Sequence, residues 1–354
     1  MSMMGAAVIG YGGMGSRHAQ MMKNVPGLQV VGAWDIDPAK QEKIRADGLT
    51  AYPSMQALCE DERVQLAVVA TPNHLHKEMS IELLQSQKHV VCEKPVTLDA
   101  AELEEIIRVQ QETGKLFTVH QNRRWDEDFL AVRRLLAENR LGAVYNIESR
   151  VTGSRGVPHD WRRDKACGGG MLMDWGVHLL DQMLCLLPGK VQSVFCRLSY
   201  VTQAPVDDGF LILLTFEDGT TAELEASTWK FLNLPRWYVN GQRGSAAIER
   251  WHEDGHMALL KPDAPTSDAK PVVTAAGITK TMAPREDDSV ETMPFPLVYA
   301  APGAFYQNVV RCIRGEETQA VQLSQVKRVM RLIEAAKRSA LLGQPVSFEG
   351  NGKE

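Results

Sequence analysis

The sequence predicts an α/β fold in two domains: a first domain with a parallel sheet, and an α+β domain with a large, open and mainly antiparallel sheet. The first third of the chain alternates short apolar runs with amphipathic helical stretches, which is typical of a parallel sheet covered on both faces. The later strands alternate only in part, as in a sheet with one solvent-exposed face. Because 354 residues exceed what one hydrophobic core usually holds, we assign residues 1–122 and 123–354 to separate domains.

The elements of the first domain follow from their apolar spacing. Unbroken apolar runs indicate buried parallel strands, and the stretches between them have helical periodicity with short connections. The predicted strands are Ala6–Gly10, Gln29–Trp34, Leu66–Ala70, His89–Cys92 and Leu116–His120. The predicted helices are Met14–Asn24, Pro38–Asp47, Ser54–Glu60, Lys77–Ser86 and Ala100–Thr113.

The second domain is predicted to begin with a helix and to continue mainly with strands. Its predicted helices are Asp128–Glu138, Gly169–Leu187, Ala304–Arg314 and Ser324–Gly343, of which the last can pack back on the first domain. Its predicted strands are Ala143–Val151, Val191–Val201, Phe210–Glu217, Thr220–Thr228, Trp237–Gly241 and Ala246–Arg250. Asp218-Gly219 is a hairpin signal between two of these strands. We interpret Pro262–Pro296, rich in Pro, Thr, Asp and Ala, as a long loop.

Charge and composition argue against several classes of protein. A formal net charge of −5 and a pI near 6.0 do not favour a nucleic-acid-binding protein. The chain has no apolar run of about 18 residues for crossing a bilayer and no signal-peptide pattern, so we expect no membrane partner. The six cysteines are scattered without a C-x-x-C pair. This indicates reduced thiols in a cytoplasmic protein.

A glycine-rich segment follows the first predicted strand and opens the first helix: Gly10-Tyr11-Gly12-Gly13-Met14-Gly15. Its glycines allow the tight turn, the close approach of a pyrophosphate and close helix–strand packing. Asp35 follows the second strand, where a carboxylate can accept hydrogen bonds from ribose hydroxyls. The pattern predicts a Rossmann dinucleotide site that prefers NAD over NADP, since Asp35 would repel a 2′-phosphate. We interpret Asp37, the rival for the ribose, as a helix cap before Pro38.

Three further segments resemble a known family. They are Thr71-Pro72-Asn73-His74, Cys92-Glu93-Lys94-Pro95 and Gly168-Gly169-Gly170-Met171-Leu172-Met173-Asp174-Trp175-Gly176-Val177-His178-Leu179-Leu180-Asp181. With the glycine segment, they resemble the glucose–fructose oxidoreductase/inositol dehydrogenase/rhizopine catabolism (Gfo/Idh/MocA) family over essentially the whole chain. Gln121-Asn122-Arg123-Arg124-Trp125-Asp126 resembles the sugar- and inositol-active branch with scyllo-inositol dehydrogenase-like members. The chain departs from that branch at His159-Asp160-Trp161-Arg162 and in Pro262–Pro296, which leaves the substrate open.

Three residues are suited to the oxidation of a secondary alcohol. Asp174 and His178 have i,i+4 spacing, so on a helix they face one ligand. His178 has a suitable pKa for a general base. Lys94, at a strand end, can hydrogen-bond the same hydroxyl and stabilise the alkoxide. The resemblance implies catalytic roles for Lys94, Asp174 and His178 as well.

Other residues are expected to complete the site. The expected cofactor contacts are Gly10, Tyr11, Gly12, Gly13, Met14, Gly15, Asp35, Thr71, Pro72, Asn73, His74, Glu93, Lys94 and Gln121. The expected substrate contacts are Lys94, Arg124, Trp125, Trp161, Arg162, Asp174 and His178. His74 could instead cap a helix, Glu93 could orient Lys94 or form a structural salt bridge, and Asp181 could face substrate or solvent. No metal is expected, because no cysteine or second histidine is spaced to complete a tetrahedral site.

Three functions remain in competition on the sequence alone. The leading hypothesis is an NAD-dependent dehydrogenase or reductase for a cyclic polyol, sugar or glycoside. A second is a redox-neutral enzyme that retains NAD and uses transient oxidation for elimination or glycoside cleavage. A third is a non-catalytic dinucleotide sensor, which the presence of Lys94 and His178 disfavours. The resemblance implies a homodimer or homotetramer, and apolar Phe210–Leu214 has a face that needs covering.

Overall fold

The apolar runs of the first domain pair into a six-stranded parallel sheet in the order β3-β2-β1-β4-β5-β6. The computed structural model describes residues 3–264, 270–282, 285 and 289–350. Every residue of β1 is buried, as expected of a strand covered on both faces. The strands are β1 (Met4–Ile9), β2 (Leu28–Trp34), β3 (Thr50–Ala51), β4 (Val64–Val69), β5 (His89–Cys92) and β6 (Phe117–Val119).

Three of the helices between these strands begin at a capping side chain, which is Asp37, Ser54 or Asp99. Asp37 accepts the backbone N–H of Ala39 at 2.9 Å, which confirms its interpretation as a helix cap. The helices are α1 (Gly13–Lys23), α2 (Pro38–Ala46), α3 (Met55–Glu60), α4 (His76–Gln85) and α5 (Ala100–Thr113). The strand order reverses between β1 and β4, so their carboxyl ends border the crevice in which such sheets bind ligands.

The second sheet has nine strands in the order β16-β13-β12-β11-β7-β10-β9-β8-β17. All neighbouring pairs are antiparallel except β7 and β10. Its strands are β7 (Val144–Thr152), β8 (Val191–Ser199), β9 (Gly209–Phe216), β10 (Thr221–Ser227), β11 (Trp237–Gly241), β12 (Gly244–Ile248), β13 (Gly255–Leu260), β16 (Val290–Phe295) and β17 (Val346–Ser347). The two sheets confirm the predicted fold class.

Three of the described helices pack against this second sheet: α6 (Glu127–Ala137), α7 (Val177–Leu186) and α9 (Leu323–Leu342). Helix α8 (Ala304–Ile313) instead contacts Trp125 and His18 of α1. In β10 the residues alternate, so that Ala222, Leu224 and Ala226 are buried and the residues between them are half-exposed. Helix α9 also contacts α5, where Glu334 accepts the backbone N–H of Ala100 at 2.8 Å. Among the described residues, no helix is long and apolar enough to cross a membrane.

Two sequence predictions about this half were wrong. Pro262–Pro296 is not one loop: its described part holds a small hairpin, β14 (Val272–Thr274) with β15 (Gly277–Thr279), and the edge strand β16. The predicted helix at Gly169–Leu187 starts later, as a π-helical turn at Leu172–Gly176 that leads into α7. Gly169 and Gly170 precede it because their N–H groups bond to the carbonyls of Asp164 and Arg162.

Candidate active site

The glycine segment forms an open cradle at the carboxyl end of β1. Gly10 has a φ of +83°, and a Cβ at Gly15 would lie 1.8 Å from the Gly10 carbonyl oxygen, so α1 packs tightly on the strand. A Cβ at Gly12 or Gly13 would meet no atom within 4 Å. The backbone at the start of α1 therefore fits a dinucleotide pyrophosphate, which a helix N-terminus favours.

Asp35 is fixed beside this cradle at the end of β2. Its two carboxylate oxygens accept the backbone N–H groups of Tyr11 at 2.6 Å and of Asp37 at 2.9 Å. Each oxygen retains a lone pair, so the carboxylate can still accept hydrogen bonds from ribose hydroxyls. The Tyr11 side chain is buried, donates to Asp47 and does not line the cavity, so its contact with the cofactor stays a prediction.

A cavity of about 800 Å³ joins the glycine cradle to residues of the second domain. It brings together fourteen of the predicted site residues, from both halves of the chain. The residues that line it are Gly10, Gly12, Gly13, Met14, Trp34, Asp35, Ile36, Ala70, Thr71, Pro72, Asn73, Leu75, Met79, Glu93, Lys94, Asn122, Arg123, Asp160, Trp161, Arg162, Asp174, Trp175 and His178.

Lys94 and Asp174 form an ion pair in this cavity. Lys94 Nζ lies 2.7 Å from Asp174 Oδ1 and 3.1 Å from its backbone oxygen, although the two residues are 80 positions apart. Burial acts to raise the pKa of Asp174, but Lys94 and then Arg162 outweigh it, so the pKa is lowered. Asp174 is therefore a carboxylate that holds the ammonium group of Lys94 in the cavity.

His178 lies one helical turn further on and lines the same cavity. Burial, followed by the positive charges of Lys94 and Arg123, lowers the pKa of His178 well below its usual value. Its ring is therefore neutral near pH 7. Its Nδ1 atom is buried and has no hydrogen-bond partner among the described residues. A neutral imidazole in this position can accept a proton from a bound ligand.

Buried contacts connect the strand-end loops that carry these groups. The amide of Asn73 donates to the carbonyl of Gly168 at 3.0 Å and so joins the first domain to the glycine loop before α7. His76 is fully buried, with ring nitrogens 2.8 Å from the Thr71 oxygen and 2.9 Å from the Pro95 oxygen. The sequence motifs did not indicate His76, although it lies only two residues after the Thr71-Pro72-Asn73-His74 segment.

Several predicted site residues lie outside the cavity. Gly15 packs beneath the cradle, His74 is exposed on a short 3-10 turn, and Gln121 is buried. Arg124, expected to bind substrate, makes a buried two-point ion pair with Asp181 at 2.6 and 2.7 Å. Trp125 packs against Phe305 instead, with ring centroids 5.6 Å apart. Arg124 and Trp125 thus contact other side chains outside the cavity, and their roles as substrate contacts stay predictions.

The part of the cavity formed by the second domain has a different set of cationic and aromatic residues. Arg162 lies over the Trp161 ring at 4.5 Å, donates to Asp160 at 2.8 Å and approaches Asp174 at 3.5 Å. Arg123, which is not among the site residues expected from the sequence, packs over the ring of Trp175 at 4.6 Å. The sequence could not show which of Arg123 and Arg124 lines the cavity, because that depends on the direction of each side chain on the turn.

Glu93 borders the cavity, but its oxygens already have partners. Oε1 contacts His18 and His120, and Oε2 accepts the backbone N–H of Lys94. His18, Glu93 and His120 are the group of described residues whose donor atoms could together hold a metal ion. The sequence missed this trio because its members are far apart in the chain. The absence of a resident metal stays a prediction.

Comparisons with known proteins cover both domains. The oxidoreductase family with an NAD-binding Rossmann fold matches residues 4–121, and the GFO/IDH/MocA C-terminal domain matches residues 129–247. The structure of an NAD-binding protein from Listeria innocua is similar to this chain with a TM-score of 0.95 and 41% identity. That similarity covers 98% of this chain and 100% of the Listeria chain.

Two curated relatives are similar over nearly their whole length. The uncharacterized oxidoreductase YdgJ of Escherichia coli (strain K12) is 29% identical over 94% of this chain and 95% of YdgJ. The scyllo-inositol 2-dehydrogenase (NADP(+)) IolW of Bacillus subtilis (strain 168) is 28% identical over 97% of this chain and 95% of IolW. The similarities confirm the resemblance that the sequence motifs indicated, and the chain belongs to the Gfo/Idh/MocA family of NAD(P)-dependent oxidoreductases.

Proposed function

We propose that the protein transfers a hydride between the nicotinamide of NAD and a secondary hydroxyl of a cyclic polyol, sugar or glycoside. The observation that carries this proposal is the Lys94–Asp174 ion pair beside His178, in the cavity that begins at the glycine cradle. A cofactor bound in the cradle supplies the hydride acceptor or donor. The protein must then supply the groups that bind the hydroxyl and move its proton.

The residues of the cavity divide these tasks. Neutral His178 accepts the hydroxyl proton during oxidation and returns it during reduction. The ammonium group of Lys94 donates a hydrogen bond to the substrate oxygen and stabilises the charge that develops there. Asp174 holds Lys94 in place and, because it is ionised, keeps the ammonium group paired between turnovers.

The substrate class is supported by the relative IolW and by the residues at the open end of the cavity. IolW is named as a scyllo-inositol dehydrogenase, at 28% identity. Trp161 offers an apolar indole surface for the face of a sugar or inositol ring. Asp160 and Arg162 supply an acceptor and a donor for ring hydroxyls. A ring with several hydroxyl groups can pack its apolar face on the indole and form hydrogen bonds with the two polar side chains.

The preference for NAD depends on Asp35. The relative IolW is named for NADP(+), so family membership alone does not decide between the two cofactors. The carboxylate of Asp35 lines the cavity and would repel a 2′-phosphate on the adenosine ribose. We therefore propose NAD as the cofactor of this chain.

We also propose a homodimer or homotetramer that works in the cytoplasm. Phe210, Ile212 and Leu214 are buried under the helices, whereas Leu213 on the opposite face of β9 is 37% exposed. Leu213 pairs with Phe195 of β8, which gives this face an apolar area beside the charged residues of β10. A second copy would cover it. The six cysteines are free thiols, as expected in a reducing compartment.

The test is a screen of NAD reduction with inositols, pyranoses and glycosides. We expect NADH formation from at least one cyclic polyol, and a rate lower by a factor on the order of 10²–10⁴ in the Lys94→Ala protein. Cofactor analysis of the purified protein belongs to the same experiment. Tightly retained NAD, with substrate converted but no net NADH formed, would contradict a simple dehydrogenase and favour the redox-neutral reaction.

A further inference from the structure

Four buried side chains that the proposed chemistry does not use meet next to Lys94. They are Glu93 after β5, His120 after β6, His18 of α1 and Tyr306 of α8, and each is at most 6% exposed. His18 Nε2 and His120 Nδ1 lie 2.8 and 2.7 Å from the same carboxylate oxygen, Oε1 of Glu93. The Tyr306 hydroxyl lies 2.5 Å from His18 Nδ1. We call these four residues the His–Glu cluster.

The charge states of the cluster fix the direction of its hydrogen bonds. Burial acts to raise the pKa of Glu93, but His120 and then His18 outweigh it and hold the pKa well below its usual value. Glu93 is therefore a carboxylate that only accepts, and both rings donate to it. Burial, followed by His120, lowers the pKa of His18, so this ring is neutral and its Nδ1 accepts a hydrogen bond from the Tyr306 hydroxyl.

The other oxygen of Glu93 connects the cluster to the catalytic lysine. Oε2 accepts the backbone N–H of Lys94 at 3.1 Å. Because two ring donors hold Oε1, the carboxylate has one orientation, and Oε2 is aimed at that N–H group. The backbone of Lys94 is thereby fixed at the end of β5, from which its Nζ reaches Asp174. A buried carboxylate with three hydrogen bonds is stable in this position, whereas one that lost a donor would be costly.

We infer that His18, His120 and Tyr306 are positioning residues that act through Glu93 on Lys94. The inference rests on the proposed function, in which Lys94 is a catalytic group. His18 lies on α1, the helix whose N-terminus forms the glycine cradle, and Tyr306 lies on α8 near the end of the chain. The cluster thus joins the cofactor cradle, two strand ends and a C-terminal helix to the same lysine.

A metal ion is the alternative occupant of this position. One donor atom from each of His18, Glu93 and His120 lies within 4.8 Å of the others. The contacts of 2.7 and 2.8 Å are the usual lengths of hydrogen bonds. A zinc ion would have to displace both ring protons and contact each ligand at about 2.0–2.2 Å. The observed distances therefore favour hydrogen bonds, with protons on the two ring nitrogens, over a bound metal ion.

The experiment compares variants of the full chain that keep or remove one donor. His120→Asn keeps an N–H group near the position of Nδ1, whereas His120→Leu keeps the volume and removes the donor. His18→Gln and His18→Leu form a second pair around Nε2. The leucine variants should lower kcat by on the order of 10- to 100-fold, the loss of a hydrogen bond to a charged group. The Asn and Gln variants should keep most of kcat, and all four should leave the Kd for NAD and the substrate KM nearly unchanged.

A double-mutant cycle separates positioning from general damage. In a Lys94→Ala background, His120→Leu should cause no further loss, because the cluster acts through Lys94. Additive losses would overturn the inference. Should the leucine variants fail to fold in thermal unfolding, Tyr306→Phe replaces them in the cycle, since it removes only a hydroxyl. Its kcat should fall with unchanged KM, and a normal kcat would overturn the inference.

A second readout does not depend on the substrate. This readout is the rate at which acetic anhydride acetylates the Lys94 amino group, measured by mass spectrometry. The acetylation rate should change in the leucine variants and stay normal in the Asn and Gln variants. A changed labelling rate with no polyol oxidised would support the positioning role and contradict the proposed function. Unchanged labelling with normal kcat in His120→Leu would overturn the positioning role. So would one equivalent of a transition metal that is present in the purified protein and lost in His120→Leu.

Discussion

The neutral state of the His178 ring follows from its burial, and the proposed proton transfer depends on that neutral state. Burial, Lys94 and Arg123 all act to lower its pKa. The same lysine is held by Asp174, so the site pairs a neutral proton acceptor with a fixed cation. This combination suits a hydroxyl that must lose its proton while its oxygen gains negative charge. The two residues should therefore affect the chemical step more than the binding of the cofactor.

His178→Ala should lower kcat by a factor on the order of 10²–10⁴, because it removes the general base. Lys94→Ala should be comparably severe, because it removes the donor that stabilises the alkoxide. Both variants should bind NAD within a few-fold of the unmodified protein, since the glycine cradle is intact. Steady-state kinetics and cofactor titration provide the measurements. His74→Ala is the matched control, because His74 is exposed outside the cavity; near-normal turnover in His178→Ala would remove this histidine from the mechanism.

Asp35→Ala or Asp35→Ser should reduce the preference for NAD over NADP, expressed as the ratio of their Kd values, by a factor on the order of ten. A change of this size is expected when hydrogen bonds to a charged group are lost. The carboxylate that would repel the 2′-phosphate is removed in both variants. Calorimetric titration of each cofactor measures the two affinities. Asp37→Ser is a suitable control, because Asp37 lies outside the cavity and serine still caps α2. Tighter binding of NADP than of NAD by the unmodified protein would contradict the prediction.

The π-helical turn at Leu172–Gly176 carries Asp174 and leads into α7, which carries His178, so it places both side chains of the second domain that we propose as catalytic. Its N-terminus is held by Asp207, whose Oδ2 accepts the backbone N–H of Leu172 at 2.7 Å. A Cβ at Gly170 would lie 2.2 Å from Asp207 Oδ1, so only glycine leaves room for this carboxylate. The distance between the turn and the second sheet therefore depends on a close contact between Gly170 and Asp207.

Asp207→Asn should change how the stability of the protein depends on pH. Burial raises the pKa of Asp207 to about 6 from 3.8. The folded state then binds this proton more tightly than the unfolded state, so the group's contribution to stability is present below pH 4 and is lost as pH rises to 6. That loss is on the order of 3 kcal/mol. Asparagine does not titrate and can still accept the Leu172 N–H.

The free energy of unfolding of Asp207→Asn, relative to the unmodified protein, should therefore increase between pH 4 and pH 7. Urea unfolding at each pH measures this difference. Asp207→Ala serves as the control for the hydrogen bond, because it also lacks the acceptor and should lose stability at both pH values. A constant difference between Asp207→Asn and the unmodified protein across this range would show that the titration of Asp207 does not contribute.

At the scale of the whole molecule, the two sheets differ in how their faces are covered. The parallel sheet is covered on both faces by its own helices, whereas in the described part of the second domain α7 and α9 pack on the sheet face that carries its buried residues. The opposite face carries Leu213 and Phe195 on neighbouring strands. We expect a second copy of the chain to cover this face.

Leu213→Lys should shift the protein toward monomers, because it places a charge in the apolar part of the proposed interface. Light scattering at micromolar concentration should give the mass of a dimer or tetramer for the unmodified protein and a lower mass for the variant. Leu341→Lys tests a similar change at an 87% exposed position of α9 and should leave the mass unchanged. A monomeric mass for the unmodified protein would contradict the assembly.

The sequence by itself determined the features that depend on local spacing. Apolar runs indicated the strands of the parallel sheet, and the glycines at Gly10–Gly15 indicated the turn between β1 and α1. Asp174 and His178 could be placed on one face because a single helical turn separates them. The family motifs, which are short and contiguous, were recognisable for the same reason, and they identified the fold and the class of chemistry.

The tertiary structure alone decided which neighbouring side chain faces the cavity. Arg123 lines it while Arg124 pairs with Asp181, and His76 is buried between two loops while His74 is exposed. On short turns a side chain's direction depends on what packs against it, and those partners are distant in sequence. The His–Glu cluster is the extreme case, since its members are separated by up to 288 positions. Sequence spacing carries no information about such contacts, because they form only when α1 and α8 pack against the strand ends of the parallel sheet.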